Sequence, residues 1–201
     1  MPFLHETEIR LRARQRAKLE GLSVEDSLAS TSRQYASSYD IFLSQTIHDA
    51  EIVLGVYDLL AKMGYSVFCD WIAQPEQHRG EVTPANAAFI RYIMGLSESF
   101  LFLDTEKADQ SKWMCWELGW FDGQNGRVAI LPVLSDGQNY YRGREFLGLY
   151  PYIELDDEGS LRIVRPPAVG PRGIMIFESP NTRSFARWQK ESSDFMRPRA
   201  I

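Results

Sequence analysis

The chain has 201 residues, of which 44% are hydrophobic and 24% are charged, and its formal net charge is −5. This length suits one domain with short extensions, and the apolar fraction is sufficient for a folded core. The net negative charge argues against general nucleic-acid binding, and the sequence lacks the run of about 18 apolar residues that predicts a membrane-spanning helix.

The first residues of the chain are charged and lack the apolar stretch of a secretion signal. The two cysteines, Cys69 and Cys115, are far apart in the sequence and belong to no CxxC pair. Both features predict a protein of a reducing compartment, the cytoplasm, without a disulfide framework. The three histidines show no metal-ligand spacing, so we expect no metal site.

Residues 1–38 are predicted to form a helical extension. Glu6 and Arg10 make an acid-before-base pair at i,i+4 spacing, and Gly21 is a plausible stop, which predicts a helix over residues 5–22. Because its apolar stripe is thin, we expect this helix to lie on another surface of the protein. A capping-box pattern at residues 23–26 predicts a second short helix, and a polar linker follows it.

From residue 39 onward, apolar strand segments alternate with helical segments. Strands are predicted at residues 39–44, 65–69, 99–103, 127–134 and 149–155. A hairpin partner is expected at residues 161–164, so the main domain spans 39–164. The remaining 165–201 form a basic extension, within which a helix at 181–196 is expected to dock against the main domain.

Strands that alternate with helices predict a parallel α/β sheet with helices on both faces. Five strands favour the flavodoxin-like order 2-1-3-4-5, in which a ligand binds outside the carboxyl ends of strands 1 and 3. This topology gathers four polar or aromatic side chains near one crevice: Ser44, Asp70, Trp113 and Glu117.

The segment 111–120, SKWMCWELGW, carries the main chemical signal. Trp113 and Glu117 are four residues apart, a spacing that places an aromatic ring and a carboxylate on one side of a helix. The alternative is that the tryptophans belong to the core and that Glu117 is a helix acid with its own partners. The chain has no P-loop, no GxGxxG after a strand and no GxSxG, so a nucleotide would not be held by a glycine-rich cradle.

One carboxylate is enough for one class of glycosidic cleavage. An ordinary glycoside needs a second carboxyl group because the leaving oxygen must be protonated. In NAD⁺ the leaving group is a pyridinium that departs as neutral nicotinamide, so an acid is not required. The carboxylate then stabilises the cationic sugar electrostatically or by a transient covalent bond, and the aromatic ring stacks on a planar part of the substrate.

The sequence resembles the Toll/interleukin-1 receptor (TIR) domains, especially bacterial ones. The resemblance covers about residues 39–155 and rests on YDIFLS at 39–44, VFCD at 67–70 and SKWMCWEL at 111–118. It implies the five-stranded flavodoxin-like fold and, from the many members that cleave NAD⁺, a catalytic role for Glu117. It also implies substrate contacts for four residues: Phe42, Ser44, Asp70 and Trp113. The family's cysteine usually follows the tryptophan directly, whereas Met114 stands there in this chain.

The resemblance to small stand-alone TIR sensors of Thoeris-type antiphage systems implies several partners. NAD⁺ would be the substrate and no separate cofactor would be needed. The product would be ADP-ribose or a cyclic or conjugated ADP-ribose messenger, made by an NAD⁺ glycohydrolase or ADP-ribosyl cyclase. The messenger would reach a separate effector protein, after a phage-derived trigger and self-association through TIR domains.

Two other functions remain open from the sequence. A non-catalytic TIR scaffold would act through TIR–TIR contacts, and it could keep Glu117 for packing alone. An enzyme like the nucleoside deoxyribosyltransferases shares a related sheet and a catalytic glutamate, but the tryptophan-rich segment favours the TIR interpretation.

Overall fold

The structure is a computed structural model in which the chain folds around one mixed β-sheet. It describes the following parts of the chain: 2–32, 36–46, 49–69, 83–106, 108, 111–141, 143, 145–165, 168–169, 175–176 and 182–191. The strands are β1 (Leu4–His5), β2 (Tyr39–Ser44), β3 (Val67–Cys69), β4 (Ser97–Asp104), β5 (Val128–Leu134), β6 (Tyr152–Leu155), β7 (Leu161–Val164), β8 (Ala168–Val169), β9 (Met175–Ile176) and β10 (Thr182–Ser184). The α-helices are α1 (Glu6–Glu20), α2 (Val24–Ser32), α3 (Ala50–Lys62), α4 (Pro84–Gly95), α5 (Lys112–Gln124) and α6 (Phe185–Lys190), and Glu145–Leu149 form a 3₁₀ helix.

The five strands β2 to β6 run parallel in the spatial order β3-β2-β4-β5-β6. Counted from β2, this is the order 2-1-3-4-5, so the predicted flavodoxin-like α/β topology is confirmed. The strand count is corrected, because the sheet has eight strands in the described residues. The expected hairpin adds β7 antiparallel to β6, β10 pairs with β7, and β1 lies off this path beside β5.

Some predicted boundaries differ from the observed ones. The third predicted strand is longer, since β4 spans Ser97–Asp104. The fifth is shorter, because the 3₁₀ helix Glu145–Leu149 occupies the residues before β6. In the basic extension the expected long helix is the short α6, preceded by β10 where the sequence had predicted helix.

Two hydrophobic clusters cover the two faces of the sheet. In β4, Leu101 and Leu103 belong to one cluster, together with residues of α1, α2 and α3. Phe100 and Phe102 belong to the other, together with residues of α4 and α5. This alternation follows from the two-residue period of a strand, and it means that α5 covers the face toward which even-numbered residues of β4 point.

The N-terminal extension is part of this core. Helix α1 buries the thin stripe that the sequence indicated, Ile9, Ala13 and Ala17, against α3. At the crossing, a Cβ on Gly55 would lie 2.1 Å from the carbonyl oxygen of Ile9, so the two helices are in backbone contact. The basic extension docks in the same way, through the buried rings of Phe185 and Trp188.

Both extensions therefore pack against the main sheet, and the division into 1–38, 39–164 and 165–201 stays a prediction. No helix in the described part of the chain combines the length and the apolar character needed to cross a membrane.

Candidate active site

Helix α5 presents one apolar side to the sheet, and it begins at a capping serine. The Ser111 hydroxyl oxygen accepts a hydrogen bond from the Met114 amide at 3.4 Å, which satisfies one of the free donors of the first turn. Met114, Leu118 and Phe121 are buried at the spacing of a helix face, and the Phe121 ring contacts Phe100 of β4 with centroids 5.3 Å apart. These contacts fix the rotation of α5 about its own axis.

Glu117 lies on the buried side of α5. Only 4% of its surface is exposed, so the carboxylate has left bulk water and needs hydrogen-bond donors. The hydroxyl of Ser44, at the carboxyl end of β2, donates to Glu117 Oε2 at 2.6 Å. A serine on a strand and a glutamate on a helix are thus joined across 73 residues of sequence.

The position of this pair matches the place where a ligand binds in open parallel sheets. β2 lies between β3 and β4. The strand order reverses at β2, since β3 lies on one side of it and β4 to β6 lie on the other. The carboxyl ends of β2 and β4 therefore form the topological switch point of the sheet. Ser44 pairs with Phe102 of β4 at this end. The sequence-based placement of Ser44 and Glu117 at one edge is therefore what the structure shows, while their roles in substrate binding and catalysis stay predictions.

Trp113 is half-buried and lies one helical turn before Glu117. Its ring contacts Trp116, with centroids 4.7 Å apart and planes inclined by 31°. Both rings pack against the edge of the cluster beneath α5. The stacking of Trp113 on a substrate ring stays a prediction.

The other two predicted contact residues have different settings. Phe42 is buried and stacks on Phe68 and Phe100, with centroids 5.3 and 5.6 Å away, so its ring belongs to the core beneath the site. A direct contact between Phe42 and substrate stays a prediction that this packing does not favour. Asp70 lies outside the described residues.

The structure adds a second carboxylate at the same edge, one that the sequence reasoning did not single out. Asp104 ends β4, is 6% exposed, and accepts a hydrogen bond from the Tyr141 hydroxyl at 2.8 Å. Side chains alternate along a strand, so Asp104 points to the same face as Phe102, and Ser44 to the same face as Phe42. From strand spacing and rise, the Cα atoms of Ser44 and Asp104 are about 8 Å apart. The sequence did contain a signal for Asp104, since this acid directly follows the apolar strand predicted at residues 99–103.

In the described part of the chain, no group of three histidine, cysteine, aspartate or glutamate side chains is arranged to hold a metal ion.

A second tyrosine lies beside Tyr141. The ring centroids of Tyr141 and Tyr152 are 5.5 Å apart, and burial raises the pKa of the Tyr152 hydroxyl. This side of the edge therefore carries two tyrosines, of which Tyr141 donates to the Asp104 carboxylate.

The strand order, with Glu117 joined to Ser44 at the switch point, defines a flavodoxin-like α/β protein. No protein-family model matches the chain. Over 116 residues, it is 46% identical to the probable 3′ cyclic ADP-D-ribose synthase ThsB′ of Bacillus cereus (strain MSX-D12), a match that covers 57% of this chain and 60% of that protein.

A second relative is more distant. Over 110 residues, the chain is 23% identical to the putative cyclic ADP-D-ribose synthase TIR2 of Cytobacillus dafuensis, covering 54% of this chain and 29% of that protein. The matches thus span less than two thirds of the length of either relative. The resemblance that the sequence predicted is confirmed, and both relatives are named as synthases of cyclic ADP-ribose.

Proposed function

We propose that this protein is an NAD⁺-consuming TIR enzyme that cleaves the bond between nicotinamide and ribose. The observation that carries the proposal is the buried Glu117 carboxylate at the switch point, oriented by the Ser44 hydroxyl at 2.6 Å. The names of the two relatives, both cyclic ADP-D-ribose synthases, support the same substrate class.

The chemistry needs only one acidic group. When the glycosidic C–N bond breaks, its electron pair goes to the pyridinium nitrogen, and nicotinamide leaves neutral. The anomeric carbon becomes cationic, and Glu117 stabilises that charge from a site where little water competes. Ser44 holds the carboxylate in one orientation, so little reorganisation is needed as the charge develops.

The product depends on which nucleophile reaches the anomeric carbon. Water gives ADP-ribose, whereas a nucleophile of the same ADP-ribose unit closes a ring, as the name of the Bacillus cereus relative describes for that protein. In both cases one proton is released, and the Glu117 carboxylate is the group placed to accept it. We propose a cyclic or conjugated ADP-ribose as the messenger.

We further propose a role in Thoeris-type antiphage immunity. In that role a phage-derived trigger activates the enzyme, self-association through TIR domains completes the site, and the messenger acts on a separate effector protein.

The test is nicotinamide release from NAD⁺ by the purified chain, alone and with lysate of phage-infected cells, with mass spectrometry of the products. We expect Glu117→Gln to lower the rate by about 10²–10³, the loss typical of removing a preorganised electrostatic contact. Ser44→Ala removes a hydrogen bond to a charged group, worth about 1.5–3 kcal/mol, so the rate should fall by about 10–100-fold.

Asp122→Asn is the matched control, because it removes one negative charge from the same helix. In the wild type the Tyr150 hydroxyl donates to Asp122 Oδ2 at 3.3 Å, and the amide oxygen of the asparagine can accept the same hydrogen bond. Full turnover by folded Glu117→Gln protein would refute the catalytic assignment. A wild type that releases no nicotinamide under either condition, but still associates with itself, would favour the scaffold.

A further inference from the structure

The N-terminal residues lie along the same edge of the sheet as Glu117. Strand β1 pairs in parallel with the carboxyl end of β5, Leu4 opposite Val133 and His5 opposite Leu134. The Leu155 amide, at the carboxyl end of β6, donates to the Pro2 carbonyl at 2.6 Å. Because parallel strands end at one edge, the first residues of the chain are joined to the site side of the sheet.

Helix α1 then reaches the start of α3 through Arg10. Its Nη1 donates to Asp49 Oδ1 at 2.7 Å and its Nη2 to Asp49 Oδ2 at 2.6 Å, the two-pronged geometry that fits a guanidinium to a carboxylate. The Asp49 side chain is only 8% exposed, and its Oδ1 also accepts from the Ile52 amide, so Asp49 is the N-cap of α3. The hydrogen bond with Asp49 raises the pKa of the Arg10 guanidinium, against the opposing effect of burial.

Asp49 is also the far end of a short connection that starts at the site. Four residues, 45–48, separate it from Ser44, the partner of Glu117. The first two of them, Gln45 and Thr46, are buried. A connection this short has both of its ends fixed, one by strand β2 and one by the bond between Asp49 and Arg10.

We propose that Arg10 is a positioning residue for the site: it holds Asp49, the residue at which the connection from Ser44 ends, and the N-terminal segment is thereby a working part of the site. The proposal rests on the proposed function for its effect on turnover. Its structural half, that Arg10 holds Asp49 and the first turn of α3, stands on the contacts alone.

The same helix offers a matched control. Arg14, one turn further along α1, binds Glu51 at 2.6 and 3.1 Å, and its side chain is 63% exposed. Arg10 contacts Glu51 as well, at 3.3 Å, so both arginines link α1 to the first turn of α3. Of these two arginines, Arg10 forms the paired bonds with the N-cap Asp49 and Arg14 does not. The comparison therefore separates loss of one α1–α3 ion pair from loss of the contact with Asp49.

The first experiment needs no substrate. Amide hydrogen exchange is measured over residues 45–54 in the full-length wild type and in Arg10→Met, Arg10→Lys and Arg14→Met. We expect at least about tenfold faster exchange in Arg10→Met, an intermediate value in Arg10→Lys, which keeps the charge but not the fork, and wild-type exchange in Arg14→Met.

The second experiment measures kcat and KM for NAD⁺ with the same variants and with Glu117→Gln, each corrected for the folded fraction. Misplacement of groups around a site can lower kcat by up to about 10², so we expect a fall of about 10–100-fold for Arg10→Met. Arg10→Lys should recover part of it, and Arg14→Met should stay within about twofold of the wild type.

The outcomes separate the two proposals. Equal exchange in Arg10→Met and Arg14→Met overturns the anchoring of Asp49 and the first turn of α3, whatever the activity. Faster exchange in Arg10→Met with unchanged kcat overturns the link to catalysis. Faster exchange together with a wild type that never cleaves NAD⁺ overturns the proposed function and leaves the anchor established.

Discussion

A single added methyl group at Gly55 tests how closely α1 and α3 approach. Gly55 is inside α3, and a Cβ at this position would lie 2.1 Å from the Ile9 carbonyl oxygen and 2.7 Å from Ile9 Cγ2. Ile9 is buried, and the nearest atom belongs to the backbone, so a side-chain rotation cannot relieve the overlap. In Gly55→Ala, α1 must therefore move away from α3 as a unit.

Two effects of opposite sign decide the stability of this variant. Alanine is favoured over glycine inside a helix by about 1 kcal/mol. Overpacking costs about 1–3 kcal/mol, and the backbone contact places this site at the upper end. We therefore expect Gly55→Ala to lower the free energy of unfolding by about 2 kcal/mol. For a chain of this length that corresponds to a decrease in Tm of about 4–8 °C.

The assay is thermal and urea unfolding of the full chain, with Gly119→Ala as the control. Gly119 is inside α5, and a Cβ there would meet nothing within 4 Å. At this position the substitution changes helix propensity without causing a clash, so Gly119→Ala should raise the free energy of unfolding by up to about 1 kcal/mol. A Gly55→Ala protein as stable as Gly119→Ala would refute the backbone contact between α1 and α3.

Two further predictions concern pH and the C-terminal helix. Hydrogen bonding from Arg14 lowers the pKa of Glu51 in the folded protein. The stability that Glu51 contributes is therefore complete above about pH 4.3, the pKa of a glutamate in an unfolded chain. It is lost as the pH falls through the lower pKa of the folded state. Unfolding of Glu51→Gln and wild type should therefore differ near neutral pH and converge in acid, whereas a constant difference would contradict this. Trp188→Ala should cost about 3–5 kcal/mol in urea unfolding, because the ring is fully buried against Phe185, and a loss below 1 kcal/mol would mean that α6 is not docked as described.

The alternation of strands and helices was sufficient to predict the central sheet. The order of β2 to β6 follows from that alternation, because parallel strands need crossover helices and the handedness of the crossovers leaves few arrangements. The added strands β1 and β10 have two and three residues, too short for a periodic pattern. Their pairing is set by partners far along the chain, which local propensity does not report.

The candidate site was partly predictable for a similar reason. Glu117 stands out in the sequence because a carboxylate among tryptophans is an unusual neighbour for a core-facing helix. Asp104 gives only the weaker signal of an acid at the end of a buried strand, and its place at the site comes from register, since it ends the strand beside Ser44. The thin apolar stripe of α1 correctly predicted that the helix packs on another surface. It did not predict how closely α1 approaches α3, which the small residues Ala13 and Ala17 allow.

The two extensions contact opposite ends of the sheet. Substitutions in them should therefore affect the stability of the fold and the activity of the site to different degrees. Helix α6 is held near the amino ends of the strands, where Gln189 donates to the Asp40 carbonyl and to the Ser99 hydroxyl, both at 2.9 Å. Helix α1 is held at the carboxyl ends, beside the connection that follows Ser44. At a temperature where all variants are folded, Trp188→Ala should therefore keep its kcat, while Gly55→Ala should lose activity together with stability. Equal retention of kcat by both would mean that the position of α1 does not reach the site.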